Sequence, residues 1–218
     1  MDPRVLTSAE TLILLSLDEE RGALRGGAFL SYGAAAALLV DLILAGRIAV
    51  SATAVEVIDA SPTGSALEDE LLARLARGKV RQPDHWIAEW GRALLAGRLL
   101  TRLCDKDVLT RYDQRVFGFW NARRYRVLPP RLRVTVRAEV RGALSSAHAV
   151  DGAMASLAAI IAVVGPHELL AAKNERRDAT ARARAFVRTD VVATALQRAV
   201  ATLAAVQDAS SAAIVATF

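Results

Sequence analysis

The stretch "GAAAALLVDLILAG", Gly33–Gly46, decides what kind of protein this is, because it reads either as a membrane-crossing segment or as the central helix of a protein core. A membrane-spanning helix requires roughly 20 apolar residues in a row. This run is shorter, and Asp41 interrupts it. The expectation is a buried helix from Ser31 to Ala45 closed by Gly46, with no span predicted.

Toward the N-terminus, Thr7-Ser8-Ala9-Glu10 has the pattern of a capping box and opens a helix predicted to reach about Leu17. Its apolar run is limited to Leu12–Leu15 and Leu17, carries Glu10 and Asp18 at its flanks and lacks a small-residue cleavage site. It reads as a core helix and not a signal peptide. Residues 18–27 form a turn region.

Toward the C-terminus, "RIAVSATAVEVID" (Arg47–Asp59) has the β-branched content of a strand or short hairpin, and Ser61–Ser65, "SPTGS", is a loop by its proline and glycine. Two helices follow, Ala66–Arg77 and Pro83–Cys104. In the second, Trp86, Trp90, Ala93, Leu94, Gly97 and Leu100 share one core-facing side, with Arg92, Arg98 and Arg102 away from it.

The segment Arg115–Leu128 reads as a hairpin turning near Asn121-Ala122. Residues 131–141, "RLRVTVRAEVR", alternate as a strand would. The same letters place Leu132, Val136 and Val140 on one helical row and Arg133, Arg137 and Arg141 on the next, behind a Pro130 suited to a helix start, so periodicity leaves both readings open. Helices are predicted over Asp151–Val164, through "KNERRDATARARAFVR" (Lys173–Arg188) and from about Thr189. The expected fold class is mainly α, a single compact helical domain over residues 1–218 with small β-hairpins.

Chemistry-bearing motifs are missing from the chain. Cys104 is the lone cysteine and His85, His148 and His167 are scattered, which excludes a disulfide framework and a Cys/His zinc pattern. No Gly-x-Ser-x-Gly elbow occurs, Cys104 has no adjacent histidine, and "SPTGS" lacks the Gly-Lys of a phosphate-binding loop. His148 and Asp151 read as a surface pair, and Asp18-Glu19-Glu20 as a solvated helix end without calcium-loop spacing. The expectation is a protein that is not an enzyme and binds no cofactor or metal.

Charge is the informative quantity. The net charge is +5, but residues 111–141 hold nine Arg against Asp113 and Glu139, a local +7 that leaves the remainder at −2. Within this basic patch, Tyr112–Arg126 ("YDQRVFGFWNARRYR") holds five of the chain's eleven aromatic residues. Aromatic rings suit the boundary between headgroups and acyl chains, and arginines meet phosphates bidentately. Phe117 and Phe119 face one side of a strand and Trp120 the other. The readings open for this segment are a membrane contact, an intersubunit contact, or core. An acidic protein partner is the alternative for the basic face, and nucleic acid is not expected, because no nucleic-acid motif accompanies the charge. Arginine outnumbers lysine 25 to three, which together with abundant alanine fits a GC-rich bacterial genome.

The stretches "LTSAETLILLSLDEERGAL", "LLVDLILAGRIAV", "SPTGSALEDELL", "WIAEW" and "LCDKDVLTRYDQRVFGF" occur in the order and spacing of the Golgi phosphoprotein 3 family, and the chain resembles its bacterial, actinobacterial-type members over roughly residues 5–210. The resemblance implies a mostly helical domain with small hairpins that binds membranes peripherally through phosphatidylinositol 4-phosphate, and in eukaryotic members an adaptor for the cytoplasmic tails of glycosyltransferases. It implies that the hairpin after Val108-Leu109 contacts membrane and can self-associate, and it favours a helix at 131–144.

The family's lipid pocket, a Trp and three Arg, falls by gapless counting on Gly26, Ala35, Ala93 and Ala96. Arg25 and Arg92 each stand one residue away, and on a helix that offset turns the Arg92 side chain by about 100°. The expected partner is therefore an anionic membrane lipid, phosphatidylinositol 4-phosphate or another, met by Arg25, Arg92, Arg123, Arg124 and Arg126, with Phe117, Phe119 and Trp120 as the membrane-contact hairpin. The expected localisation is cytoplasmic and peripherally membrane-associated, with homo-oligomerisation through the hairpin possible.

Overall fold

The computed structural model describes residues 6–93, 95–116, 120–145, 151–165 and 176–215. The first helix, α1 (Ser8–Leu15), is buried on every side, which is why its sequence shows no polar face. Its capping box forms as predicted: the Thr7 hydroxyl accepts from the Glu10 amide at 3.3 Å, and the Glu10 carboxylate accepts from the Thr7 amide at 3.0 Å.

The opening stretch forms α2 (Gly27–Leu44), which begins four residues before the predicted Ser31 and has twelve of its eighteen residues buried. By length and composition α2 could cross a membrane, but it is surrounded instead by α1 and by the helices that follow. Its run of small residues lets them close in. A Cβ at Gly33 would collide with Val164 and Leu12. Asp41, the charge that breaks the apolar run, accepts hydrogen bonds from the Ser8 and Ala9 amides at 2.7 and 3.1 Å, so it caps the N-terminus of α1 from outside that helix. Gly46, at φ +68°, ends the segment.

A short antiparallel hairpin follows, β1 (Ile48–Val50) with β2 (Val55–Val57), in register Ile48↔Val57. The "SPTGS" loop is tied at both ends: Arg47 pairs with Asp59 and donates to the Ser61 hydroxyl at 2.8 Å, while the Thr63 amide and hydroxyl donate to Asp69 at 2.5 and 2.7 Å. Then α3 (Ala66–Arg77) buries Leu67, Leu71, Leu72 and Leu75.

The single helix expected from Pro83 to Cys104 is two: α4 (Pro83–Gly91) and α5 (Leu95–Asp105). Gly91 lies against the Tyr32 ring, where any Cβ would clash, and the Ala93 amide turns back to the Trp90 carbonyl at 2.9 Å. The break resets the buried side. Trp86 and Trp90 are buried as expected, but α5 buries Leu95, Ala96, Leu99, Leu100 and Leu103 and leaves Gly97 exposed. Arg102, predicted to lie away from the core, faces inward and joins Glu10 at 2.9 Å and Glu68 at 2.6 Å.

The second hairpin pairs β3 (Leu109–Val116) with β4 (Trp120–Val127) from Leu109↔Val127 to Val116↔Trp120. Asn121 and Ala122 therefore sit inside β4, opposite Arg115 and Gln114, and not at a turn as predicted. The ambiguous run at 131–141 is helical, within α6 (Pro130–Ser145), because its buried residues Arg133, Val136, Val140, Ala143 and Leu144 follow the three- and four-residue spacing of a helix side. The last helices are α7 (Gly152–Val164), α8 (Arg176–Thr189) and α9 (Val191–Val215). α8 and α9 meet at 99°, where Asp190 caps α9 by accepting from the Ala193 amide at 2.8 Å. The result is mainly α, with two small antiparallel sheets among the described residues.

Candidate functional site: the basic hairpin and its base

The strand register assigns the hairpin's arginines to both of its faces. Arg111, Arg115 and Arg123 share one face with Asp113 and Tyr125; Arg124 and Arg126 share the other with Tyr112 and Gln114. The five guanidinium groups meet only one acid in the ladder. Asp113 stands opposite Arg123, yet none of the five forms an ion pair among the described residues. Arg124 donates to the Gln114 side chain at 3.2 Å, and the Arg126 guanidinium lies 5.4 Å from the centroid of the Tyr112 ring. Beyond the base, Asp113, Gln114, Arg115 and Arg123 are exposed, so this part of the ladder projects from the body.

The remaining basic residues of 111–141 do not all join that surface, which corrects the sequence reading of one continuous patch. Arg133 is only 8% exposed and donates to the carbonyls of Leu15 and Leu17, closing the C-terminus of α1 with a positive charge. Arg137 pairs with Glu19 at 2.6 Å. Burial pulls the Arg133 guanidinium below its usual range, a fall that Glu19 partly offsets.

The turn between α1 and α2 docks against the hairpin's base. The Tyr125 amide donates to the Gly22 carbonyl at 2.9 Å, and a Cβ on Gly22, at φ +59°, would meet the Tyr125 carbonyl oxygen at 2.5 Å and the Tyr112 hydroxyl at 2.9 Å. Arg25 belongs to this turn. It pairs with Asp18 while keeping a side chain 59% exposed. The Arg21 amide does most to hold the Asp18 carboxyl below its ordinary value, and together with the Arg25 guanidinium and the Glu20 amide it outweighs the opposing effect of burial.

Arg25 is thus brought to the base of the hairpin that carries Arg123, Arg124 and Arg126. Arg92 is not: it lies exposed at the α4–α5 junction, next to the glycine that packs on α2. Of the positions where the resemblance implied a lipid pocket, Gly26 caps α2, Ala93 lies in the helix break, and Ala35 and Ala96 are buried at 1% and 9% exposure. No basic or indole side chain stands at any of the four. Phe117 and Phe119 lie outside the described residues, as does the side chain of Trp120.

A cavity of about 490 Å³ opens under the hairpin, between the α1–α2 turn, the base of the ladder and the start of α6. No local pattern signals it, since its lining joins residues 17–22 to residues 112–134, distant parts of the chain. The nearest hint was the row Arg133, Arg137, Arg141 on the helical reading of α6.

The mainly helical frame, the hairpin that follows Val108-Leu109 and the tied "PTG" loop are all present together. The family model described as Golgi phosphoprotein 3 (GPP34) matches residues 9–203. The chain belongs to the Golgi phosphoprotein 3 family. No curated protein matches the chain. Seen as a Golgi phosphoprotein 3 domain, the matched span runs from α1 into α9 and takes in both hairpins and the cavity. The family's implied pocket positions and the basic surface of this chain do not coincide: the former are alanines and glycine, and the latter is the β3–β4 ladder.

Proposed function

We propose that this Golgi phosphoprotein 3-family protein docks peripherally on anionic membranes through the β3–β4 hairpin, by general charge recognition more than by selection of phosphatidylinositol 4-phosphate. The observation that carries the reading is the set of five arginines on both faces of a projecting two-stranded ladder, facing one acid and no ion-pair partner among the described residues. Guanidinium groups left unpaired by their own fold keep their hydrogen-bond donors for phosphate oxygens. The binding is non-catalytic, and Phe117, Phe119 and Trp120 supply the apolar part of the contact. Family membership supports the membrane context, and the empty Gly26, Ala35, Ala93 and Ala96 positions support weak headgroup selectivity.

Near an anionic surface each Arg contributes on the order of 1 kcal/mol, screened within a Debye length. Arg123→Glu with Arg124→Glu is expected to weaken binding to phosphatidylglycerol vesicles by more than about tenfold. Raised salt is expected to weaken the wild type in step. If the folded double variant floats with such vesicles as the wild type does, the docking reading is wrong. If it changes the mass measured by light scattering and leaves flotation intact, the hairpin is an oligomer contact instead.

A further inference from the structure

The cavity beneath the hairpin holds charges of both signs, and that combination points to its ligand. Asp18, Glu19 and Glu20 line it from the α1–α2 turn, Arg126 from β4 and Arg133 from α6, with Tyr112 and Tyr125 between them. Some of this charge is already engaged. Asp18 accepts from the Glu20 and Arg21 amides at 3.0 and 2.7 Å and pairs with Arg25, while Glu19 pairs with Arg137.

What is left is complementary. Glu20 is exposed and has no ion-pair partner among the described residues, and Arg126 has only the Tyr112 ring. Arg133 is more than nine-tenths buried. Its Nε has no hydrogen-bond acceptor, and its ion pair with Glu19 is a long one, at 3.6 Å. Arg133 is engaged by Glu19 and two carbonyls, but a buried guanidinium with one donor left without an acceptor still favours an added anion, because an unmade hydrogen bond on a buried charged group is costly. A simple anion would also meet three carboxylates, and a simple cation would meet Arg133. A zwitterion satisfies both.

We propose that this cavity takes the phosphoethanolamine headgroup of a membrane lipid, its phosphate held between Arg126 and Arg133 and its ammonium by Glu20 beside Asp18 and Glu19. The proposal rests on the membrane-docking reading and names the lipid that the hairpin's base selects. A primary ammonium donates up to three hydrogen bonds to carboxylates, whereas the trimethylammonium of choline donates none, so the cavity discriminates between two headgroups of equal net charge. Val134, 70% exposed at the cavity's edge, offers the apolar surface along which the glycerol and acyl portion leaves.

The test uses the full chain and vesicles with a fixed fraction of phosphatidylglycerol, the remaining lipid being either phosphatidylethanolamine or phosphatidylcholine. Binding is expected to be about fivefold tighter with phosphatidylethanolamine, the worth of roughly one charge-assisted hydrogen bond. Glu20→Gln and Val134→Trp, both at exposed positions, are expected to abolish that difference. Attraction by charge alone predicts instead that Glu20→Gln strengthens binding to both vesicle types equally.

Soluble glycerophosphoethanolamine is expected to shift the amide resonances of Gly22 and Tyr125, and glycerophosphocholine to leave them in place. Equal binding to the two vesicle types with no shift overturns the headgroup proposal and leaves hairpin docking standing. A preference that survives both variants overturns the assignment to this cavity. A shift without binding to any vesicle supports the cavity's ligand and overturns the docking reading.

Discussion

Asp41 shows how one residue joins two elements. Its carboxylate takes the first two amides of α1 while sitting among the apolar residues of α2, so helix capping and core packing depend on the same side chain. Burial raises its carboxyl above the ordinary value, and the hydrogen bonds from Ala9 and Ser8 only partly oppose the rise. The folded state therefore binds this proton more tightly than the unfolded chain. From this group alone, stability is greatest below the unfolded value and declines as pH rises through the window from 3.8 to the raised folded value, then levels off. Asp41→Ala is expected to cost about 1–2 kcal/mol in urea unfolding at neutral pH, as for a lost helix cap. Asp41→Asn, which cannot titrate, is expected to lose that sloping contribution across the acid window. A wild-type minus Asn difference that does not change with pH would contradict the assignment. The capping box at Thr7 and Glu10 was legible in the sequence because its partners lie three residues apart; Asp41 reads only as a break in an apolar run, because its partners lie 32 and 33 residues away.

At the scale of elements, local patterning was sufficient where an element packs by itself and failed where a neighbour decides. Ala66–Arg77 has the same limits in the sequence reading and in the structure, since its leucine spacing alone defines its buried side. The α4–α5 break escaped that logic because it follows Gly91, the last residue of α4, whose close approach to Tyr32 of α2 is a tertiary contact that apolar spacing does not mark. Likewise α6 could be read as strand or helix until the carbonyls of Leu15 and Leu17 brought Arg133 inward. The inward turn of α5 has an energetic consequence at Arg102, which links α1, α3 and α5 through Glu10 and Glu68, two carboxylates exposed by 0% and 5%. Lys106 also reaches Glu10, at 2.6 Å, but Glu68 has no second cation among the described residues. Arg102→Leu is expected to destabilise the fold by about 3 kcal/mol or more, because it strands a buried carboxylate. Arg98→Leu removes the exposed pair with Glu70 and is expected to cost under about 1 kcal/mol. Urea denaturation of the two variants side by side checks the contrast, and equal losses would mean that the network carries no special stability.

For the whole molecule the question is whether a membrane would sense the total charge or its placement. Outside residues 111–141 the chain carries −2, but that remainder is itself uneven: α8 holds five Arg against Asp178 and is a second basic element. It packs on α6, α7 and α9 and keeps Arg184 and Arg188 exposed, without an ion pair among the described residues. Reversing Arg123 and Arg124, or Arg184 and Arg188, to glutamate moves the net charge by the same amount, from +5 to +1. Long-range attraction that depends on net charge treats the two variants alike, whereas contact within a Debye length of about 10 Å depends on which charges reach the surface. With the hairpin docked, its arginines meet phosphates directly and those of α8 contribute only screened attraction. The hairpin pair is therefore expected to cost more than about tenfold in vesicle affinity and the α8 pair less than about threefold, with a shallower loss of salt dependence for the latter. Flotation of both variants across a salt series decides between them. Equal losses would make the attraction a property of the whole molecule, and a larger loss from α8 would move the membrane-facing side from the hairpin to the junction of α8 and α9.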